Sequence, residues 1–281
     1  MKFHNKVAVI TGASRGLGEY IAESFVRLGI SKLIILARNE EVLSKTLSSL
    51  NSMRVSSAQK IITKVCDISN ITDIERFSEL CFQETEKLDI LVNNASVFGP
   101  IGFFEDVQLN DWMETILVNY VGTASIIKHL LPLIKVSERG KIINIVGGGA
   151  SKPYGCLSGY ATSKVAIVRF TEELAAELSK YKIDINCIAP GPLNTRFVDV
   201  MLKAGIEVLG EKLFNHVAAI RKGGGTPFEL PTLLCHFLAD PASNGITGKM
   251  LSARYDDIEL LIKNKDDLIN YDIYTLRRVV S

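Results

Sequence analysis

Short apolar segments alternate with longer amphipathic segments along most of the chain, and this alternation constrains the fold more than any other feature. The apolar segments are rich in Val and Ile at nearly every position, which is typical of strands buried on both faces of a parallel sheet. We predict seven strands, at residues 7–11, 32–37, 60–66, 89–93, 141–146, 184–188 and 249–252. Helical patterns lie between them, for example at residues 18–28, 71–87, 112–134 and 163–180. Such alternation implies right-handed βαβ units.

The organisation of the chain favours one domain over residues 1–281. No linker rich in Pro, Gly or Ser divides it, and it has no internal repeat. Two segments interrupt the alternation: residues 190–226, which we interpret as a mobile, partly helical insertion, and a charged C-terminal extension at residues 253–281. Hydrophobic residues make up 47% of the sequence and charged residues 22%, as expected for a globular protein with a sizeable core.

Charge, cysteines and hydropathy exclude several classes of function. The net charge of +1 gives no general attraction to nucleic acid or to anionic membranes. The five cysteines form no C-x-x-C pair and the four histidines are dispersed, so we expect free thiols and no metal site. We see no signal peptide before the first strand and no apolar run of roughly 18 residues. We therefore expect a soluble, cytoplasmic protein that acts on a small molecule.

A glycine-rich segment, T-G-A-S-R-G-L-G at residues 11–18, connects the first predicted strand to the first predicted helix. Glycines permit a tight turn and let the backbone approach a pyrophosphate, while the helix N-terminus supplies N–H groups. Because a strand precedes the segment and a helix follows it, the context is that of a dinucleotide site. We predict an α/β protein with a three-layer, doubly wound Rossmann fold and a mostly parallel seven-stranded sheet. The cofactor contacts predicted here are Gly12, Ser14, Arg15, Gly16, Leu17 and Gly18.

The end of the second strand distinguishes between two dinucleotides. Sites for NAD usually place an acid there to bind the ribose 2′-hydroxyl, but this chain has L-A-R-N at residues 36–39. Arg38 stands beside the expected acid, and Arg15 is a second cation in the glycine-rich segment. Two guanidinium groups suit a 2′-phosphate. We therefore predict NADP as the cofactor, with NAD less favoured.

Tyr160 and Lys164 form a candidate proton-transfer pair. Side chains four residues apart share one face of a helix. A nearby ammonium group lowers the pKa of a phenol, which is about 10 when unperturbed. Such a tyrosine can exchange a proton with a substrate carbonyl or hydroxyl while hydride moves to or from nicotinamide.

These motifs together resemble the short-chain dehydrogenase/reductase family, in order, over about residues 6–251. The resemblance implies that Asn119 supports a proton relay and that Tyr160 and Lys164 are catalytic and also contact the cofactor. It implies a homodimer or homotetramer, which is usual in the family. It further implies cofactor contacts at Asp67, Ile68, Asn93, Ala95, Pro190, Gly191 and Thr195.

Position 147 departs from the family pattern. The family has a serine thirteen positions before its tyrosine, where it polarises the substrate carbonyl, and this chain has Gly147 in a Gly-Gly-Gly run. Three explanations remain open. The hydroxyl of Ser151 or Ser158 replaces it; glycine N–H groups or a trapped water do so; or the protein binds the cofactor without efficient turnover.

We expect an NADP-dependent oxidoreductase that acts on a carbonyl or secondary alcohol, with Tyr160 as the general acid or base. One alternative is a non-catalytic NADP-binding sensor or partner protein, and another is an epimerase or dehydratase of the same family. The tail and the glycine run also resemble a subgroup associated with sugar-modifying genes. That likeness suggests a sugar or nucleotide-sugar substrate, although we favour a tail that simply packs on the body or on another subunit. The arginines available to such a substrate are Arg196, Arg254, Arg277 and Arg278.

Overall fold

A computed structural model describes residues 2–278, and its seven strands form one sheet. Met1 and residues 279–281, the ends of the predicted domain and tail, lie outside the described residues. The strands are β1 Val7–Thr11, β2 Lys32–Ala37, β3 Lys60–Val65, β4 Ile90–Asn93, β5 Gly140–Ile145, β6 Ile183–Ala189 and β7 Met250–Ser252. All neighbouring strands are parallel, in the order β3-β2-β1-β4-β5-β6-β7, which confirms the predicted doubly wound fold.

Helices cover both faces of this sheet. They are α1 Gly16–Arg27, α2 Glu40–Ser52, α3 Ile71–Glu84, α4 Leu109–Ile116, α5 Thr123–Lys135, α6 Ser158–Glu177, α7 Arg196–Ala204, α8 Ile206–Ala219, α9 Glu229–Ala239, α10 Ile258–Lys263 and α11 Lys265–Asn270. Alternate residues of β1 show the two layers: Ala8 and Ile10 pack with the helices α1, α2 and α9, whereas Val7 and Val9 pack with α3, α5 and α6. This two-sided burial explains why the strands are apolar at nearly every position.

A π-helical segment, Leu117–Gly122, joins α4 to α5 in one helical run of 27 residues, Leu109–Lys135. The run is longer than the predicted helix at 112–134. By length and composition it could cross a membrane, contrary to our expectation from the sequence. One such helix is weak evidence for a membrane span, because core helices meet the same criterion. In this fold the run packs against α3 and α6.

The two segments that interrupted the alternation are both largely helical. Residues 190–226 contain α7 and α8 and a π-helical turn, Ile220–Gly224. The tail forms α10 and α11 and then returns to the edge strand β7, where the Met250 N–H donates to the Tyr274 carbonyl over 2.8 Å. The described part of the tail therefore covers an otherwise open sheet edge, as the packing interpretation expected.

Candidate active site

A cleft of about 1850 Å³ lies at the carboxyl ends of the central strands. The strand order reverses between β1 and β4, and ligands of open α/β sheets bind beside such a reversal. Small-molecule sites usually enclose roughly 300–1,000 Å³. This cleft is therefore large enough for a dinucleotide and a second molecule together.

The glycine-rich segment forms one wall of the cleft. Gly12 has φ +64°, and a Cβ atom there would lie 2.7 Å from the Ala95 Cα, so only glycine fits. The Thr11 hydroxyl accepts the N–H groups of Asn94 and Ala95, each over 2.9 Å, which ties the turn to the end of β4. At Arg15, the N-terminal boundary of α1, no side chain caps the helix. Its first N–H groups therefore remain available to an anion.

Two predicted cofactor contacts do not lie on the wall of the cleft. A Cβ atom at Gly18 would lie 2.5 Å from the Gly12 carbonyl oxygen, so this glycine permits close packing of α1. The Asn93 side chain is buried and donates to the Asn144 Oδ1 atom over 2.9 Å. Asn94, which lies in the same segment between the predicted contacts Asn93 and Ala95, lines the cleft instead. The other predicted contacts that line it are Gly12, Ser14, Arg15, Gly16, Leu17, Arg38, Asp67, Ile68, Ala95, Tyr160, Lys164, Pro190, Gly191 and Thr195.

Three arginines gather at one end of the cleft. Arg15, Arg38 and Arg196 all line it. Burial lowers the pKa of Arg15, and the nearby charges of Arg196 and Arg38 lower it further. The Arg38 Nη1 atom lies 3.7 Å from the Asp67 carboxylate, and the Arg38 side chain is 51% exposed. This end of the cleft thus presents several cations to an anionic group.

Lys164 is buried behind Tyr160. Its ammonium donates to the Ile145 carbonyl at the end of β5 over 3.0 Å, and burial lowers its pKa to about 8. The Lys164 Nζ atom lies 5.5 Å from the centre of the Tyr160 ring. Burial, and then the charge of Tyr154, raise the pKa of the Tyr160 hydroxyl. The predicted lowering of the Tyr160 pKa by Lys164 is therefore wrong, because desolvation of the buried phenol outweighs the effect of the Lys164 charge. The phenol is protonated at neutral pH.

Asn119 occupies the π-helical segment and does not line the cleft. Its Oδ1 accepts the Val97 N–H over 2.8 Å, and its Nδ2 donates to the Val97 carbonyl and to the Ser163 hydroxyl. Ser163 in turn donates to the Tyr160 carbonyl over 2.7 Å. All donors of the amide are used, so the side chain is not free to bind substrate. Ser163, which sequence reasoning missed, connects Asn119 to α6. The role of Asn119 in a proton relay stays a prediction.

The glycine run at the end of β5 packs against two tyrosine hydroxyls. A Cβ atom at Gly147 would lie 2.6 Å from the Tyr160 hydroxyl oxygen. A Cβ atom at Gly148 would lie 2.5 Å from the Tyr154 hydroxyl oxygen. Both distances are shorter than van der Waals contact, so the phenols occupy space that side chains at 147 and 148 would need.

The two serines considered as replacements lie differently. The Ser158 hydroxyl accepts the Trp112 indole N–H over 3.1 Å, and Ser158 is not part of the cleft wall. Ser151 does line the cleft, but its hydroxyl donates to the Gly148 carbonyl over 3.2 Å. Ser158 is therefore outside the cleft, and Ser151 is engaged with the backbone.

The part of the cleft beside Tyr160 is apolar. The Tyr160 ring packs against Phe98, with centroids 4.5 Å apart, and against Phe197 at 6.5 Å. Arg254 also lines the cleft, but Arg277 is bound to Glu172 and Asp272, and neither Arg277 nor Arg278 is on its wall. Further apolar lining residues are Leu157, Val198, Met201, Leu209, Val217 and Ile220.

Sequence comparison with known proteins finds a matching family model and several dehydrogenase relatives. The family model for short chain dehydrogenases matches residues 6–204. An Arabidopsis thaliana protein, 11-beta-hydroxysteroid dehydrogenase-like 3, is 35% identical over 78% of this chain and 70% of its own. Dehydrogenase/reductase SDR family member 4 of Sus scrofa is 30% identical over 74% of each chain.

Two solved structures share the fold. NAD+-bound xylitol dehydrogenase superposes with a TM-score of 0.79 at 24% identity, covering 90% of this chain and 98% of that chain. A protein from Escherichia coli CFT073, complexed with NADPH, gives 0.76 at 21% identity with the same coverage. This chain therefore belongs to the short-chain dehydrogenase/reductase family of oxidoreductases.

Proposed function

We propose that this protein is an NADP-dependent oxidoreductase that interconverts an apolar carbonyl compound and its secondary alcohol. One observation carries the proposal. Tyr160 lines the cleft among apolar side chains, and the Lys164 Nζ atom lies 5.5 Å from the centre of its ring. Burial raises the pKa of the Tyr160 hydroxyl, so we infer that it is protonated at neutral pH. A buried, protonated phenol is a general acid placed where a carbonyl oxygen can reach it.

The donors along the cleft fit NADP. The glycine-rich segment and the N-terminus of α1 would hold the pyrophosphate, and Asp67 with Ile68 would border the adenine. Arg15 and Arg38 would bind the 2′-phosphate, since a dianion relieves the mutual repulsion of clustered guanidinium groups. Lys164 would bind the nicotinamide ribose, with Pro190, Gly191 and Thr195 beside the ring. Bound NADPH supplies the hydride that the substrate carbon receives.

The chain's own residues then handle the proton. In reduction, Tyr160 transfers its hydroxyl proton to the substrate oxygen, which becomes the alcohol, and the phenolate regains a proton from solvent. The Lys164 ammonium stabilises that phenolate, and its hydrogen bond to Ile145 fixes it in place. In oxidation Tyr160 must first lose its proton to solvent, and the phenolate then removes the proton from the alcohol. The apolar side chains beside Tyr160 lower the local dielectric constant, which strengthens these interactions.

The lining beside Tyr160 favours an apolar substrate over a sugar, whereas Lys152, Glu211 and His216 line other parts of the cleft wall. Aromatic and aliphatic side chains surround Tyr160, whereas a sugar needs several hydrogen-bonding partners. The Arabidopsis relative is named for a hydroxysteroid, which is an apolar secondary alcohol. Arg196 and Arg254 line the cleft and are the residues that a nucleotide-sugar would use. A panel of cyclic and steroid ketones against keto-sugars therefore tests the substrate class.

The central experiment measures NADPH binding by fluorescence and NADPH consumption with that panel. We expect Tyr160→Phe to lower kcat on the order of a hundred-fold or more, while the Kd for NADPH changes far less because Tyr160 is one cofactor contact among many. Ser151→Ala, a second hydroxyl on the cleft wall, serves as the control and should retain its rate. Tight binding without turnover of any carbonyl would instead support the sensor. Turnover without net NADPH consumption would support the epimerase or dehydratase.

We also propose a homodimer or homotetramer built on the long helical run. Leu109, Met113, Leu117 and Val121 are 41–61% exposed and recur every four residues, which makes one apolar stripe. We expect Met113→Glu to shift the protein to a smaller species in light scattering. Leu260→Glu, at an apolar position 56% exposed in α10, is the matched control.

A further inference from the structure

Two tyrosine hydroxyls lie on the wall of the cleft without a protein partner among the described residues. Neither the Tyr154 nor the Tyr160 hydroxyl forms a hydrogen bond with a protein group there, although Tyr154 is half-buried and Tyr160 is buried. Polar groups in such places normally have a partner. Hydroxyls that line a cleft without one are available to a ligand.

The glycine run makes room for both groups. The Tyr160 and Tyr154 hydroxyl oxygens lie 2.6 Å and 2.5 Å from where side chains at Gly147 and Gly148 would begin. Consecutive Cα atoms are only about 3.8 Å apart, so both phenols meet the same short stretch of backbone. The Tyr160 hydroxyl therefore borders position 147, where the family resemblance predicts a serine, and the Tyr154 hydroxyl borders the next position, 148.

Both phenols have a raised pKa. Burial raises the pKa of Tyr154, and burial, followed by the charge of Tyr154, raises the pKa of Tyr160. Both hydroxyls are therefore protonated at neutral pH, and each can donate a hydrogen bond.

We propose that the Tyr154 hydroxyl performs the task that the family assigns to the missing serine, by donating a hydrogen bond to the substrate oxygen beside Tyr160. Tyr154 keeps its proton throughout, while Tyr160 transfers one, so Tyr154 polarises the carbonyl and forms no covalent bond. This inference rests on the proposed function, because it needs a carbonyl substrate in the cleft.

The kinetic test is Tyr154→Phe, which removes one oxygen atom and keeps the ring. Loss of a donor to a reacting oxygen costs on the order of a hundred-fold in kcat. We expect that loss with the most rapidly reduced ketone of the panel, together with an unchanged Kd for NADPH. Tyr181→Phe, at a tyrosine outside the cleft wall, is the matched control. If Tyr160→Phe abolishes turnover and Tyr154→Phe does not reduce it, this inference fails and the proposed function stands.

A second test does not need turnover. Infrared difference spectra of ¹³C-carbonyl acetophenone with the protein and NADP+ report the hydrogen bonds to the carbonyl oxygen. We expect the bound C=O band to move to higher frequency in Tyr154→Phe, because one donor is lost, and to stay in place in Tyr181→Phe. The absence of any difference between wild type and Tyr154→Phe overturns the inference. If no wild-type turnover is found with any ketone, the proposed function fails on that result and the infrared comparison alone decides the role of Tyr154.

Discussion

Introducing a serine at position 147 gives this chain the side chain that the family resemblance predicts there, and we expect the change to lower turnover. A Cβ atom at Gly147 would lie 2.6 Å from the Tyr160 hydroxyl oxygen, whereas ordinary contact begins at 3.4 Å. The hydroxyl must therefore move by about 0.8 Å in Gly147→Ser. Gly147 has φ −172°, an extended backbone that any residue adopts, so the contact alone is perturbed.

The size of the effect follows from where the phenol can go. The Tyr160 ring packs against Phe98 at 4.5 Å, so the hydroxyl cannot move without losing its alignment. A misplacement near 1 Å costs on the order of a hundred-fold in rate, which corresponds to about 3 kcal/mol of barrier. The contact is with the end of one side chain and not with backbone, so we expect the free energy of unfolding to change by less than about 1 kcal/mol.

The assay compares kcat, the Kd for NADPH and the thermal midpoint of wild type, Gly147→Ser and Gly147→Ala. Both variants introduce the same Cβ atom, but only one supplies a hydroxyl. We expect both to lose turnover to a similar extent while cofactor binding and the midpoint stay near wild type. A rate in Gly147→Ser equal to or above that of wild type would refute the reasoning, because it would show that the phenol does not need the space.

Three further changes test other parts of the molecule. Arg38→Ala should raise the Kd for NADPH roughly tenfold and leave that for NADH within about twofold, by fluorescence titration, because the half-exposed guanidinium would meet only the 2′-phosphate. Burial lowers the pKa of His236 to about 4, so the free energy of unfolding should fall by up to about 3 kcal/mol as pH drops from about 6.5 to 4. Glu172→Ala should speed hydrogen exchange at the Met250 amide, because Glu172 holds the tail whose Tyr274 carbonyl accepts that N–H.

Each of these changes has a control and a contrary result. Arg27→Ala removes an arginine outside the cleft, and an equal loss of NADPH affinity there would remove Arg38 as the discriminating residue. The pKa of His236 is lower in the folded state than in the unfolded chain, so a fall in pH protonates the unfolded chain first. The free energy of unfolding therefore has its full value above about pH 6.5 and decreases as the pH drops. His236→Gln should flatten that dependence, and an unchanged slope would contradict the assignment. Glu173→Ala should leave the Met250 amide protected, and equal exchange in wild type and Glu172→Ala would show that the tail holds without Glu172.

The sheet was predictable because its strands obey a local rule. Burial on both faces makes each strand apolar throughout, and the observed ends lie within one residue of the predicted ends. The course of the tail was not predictable, because its contacts depend on tertiary placement. The Leu276 N–H donates to Glu172, 104 residues earlier, and no local pattern at residues 271–278 indicates that pairing.

The residues of the candidate site were also predictable only in part. Residues fixed by a turn or a strand end, such as Gly12 and Arg38, line the cleft as predicted. Asn119 and Asn93 do not, because a motif match gives a position in the chain but not the direction of a side chain. Tyr154 was missed because nothing in its spacing distinguishes it, and the available signal was indirect: consecutive glycines leave space that a neighbouring side chain can occupy.

The space beside Gly147 and Gly148 bears on how the substrate oxygen is bound without the serine that the family resemblance predicts at position 147. A sequence comparison counts side chains by position, so Gly147 counts as a lost donor. A substrate oxygen responds only to donor atoms within hydrogen-bond distance, whichever residue carries them. Ser158 is outside the cleft wall and Ser151 already bonds to the backbone, whereas the Tyr154 hydroxyl faces the cleft without a protein partner within the described residues. The glycines and the phenols are therefore best understood as one arrangement, in which the absence of side chains at 147 and 148 is the condition for the hydroxyls beside them.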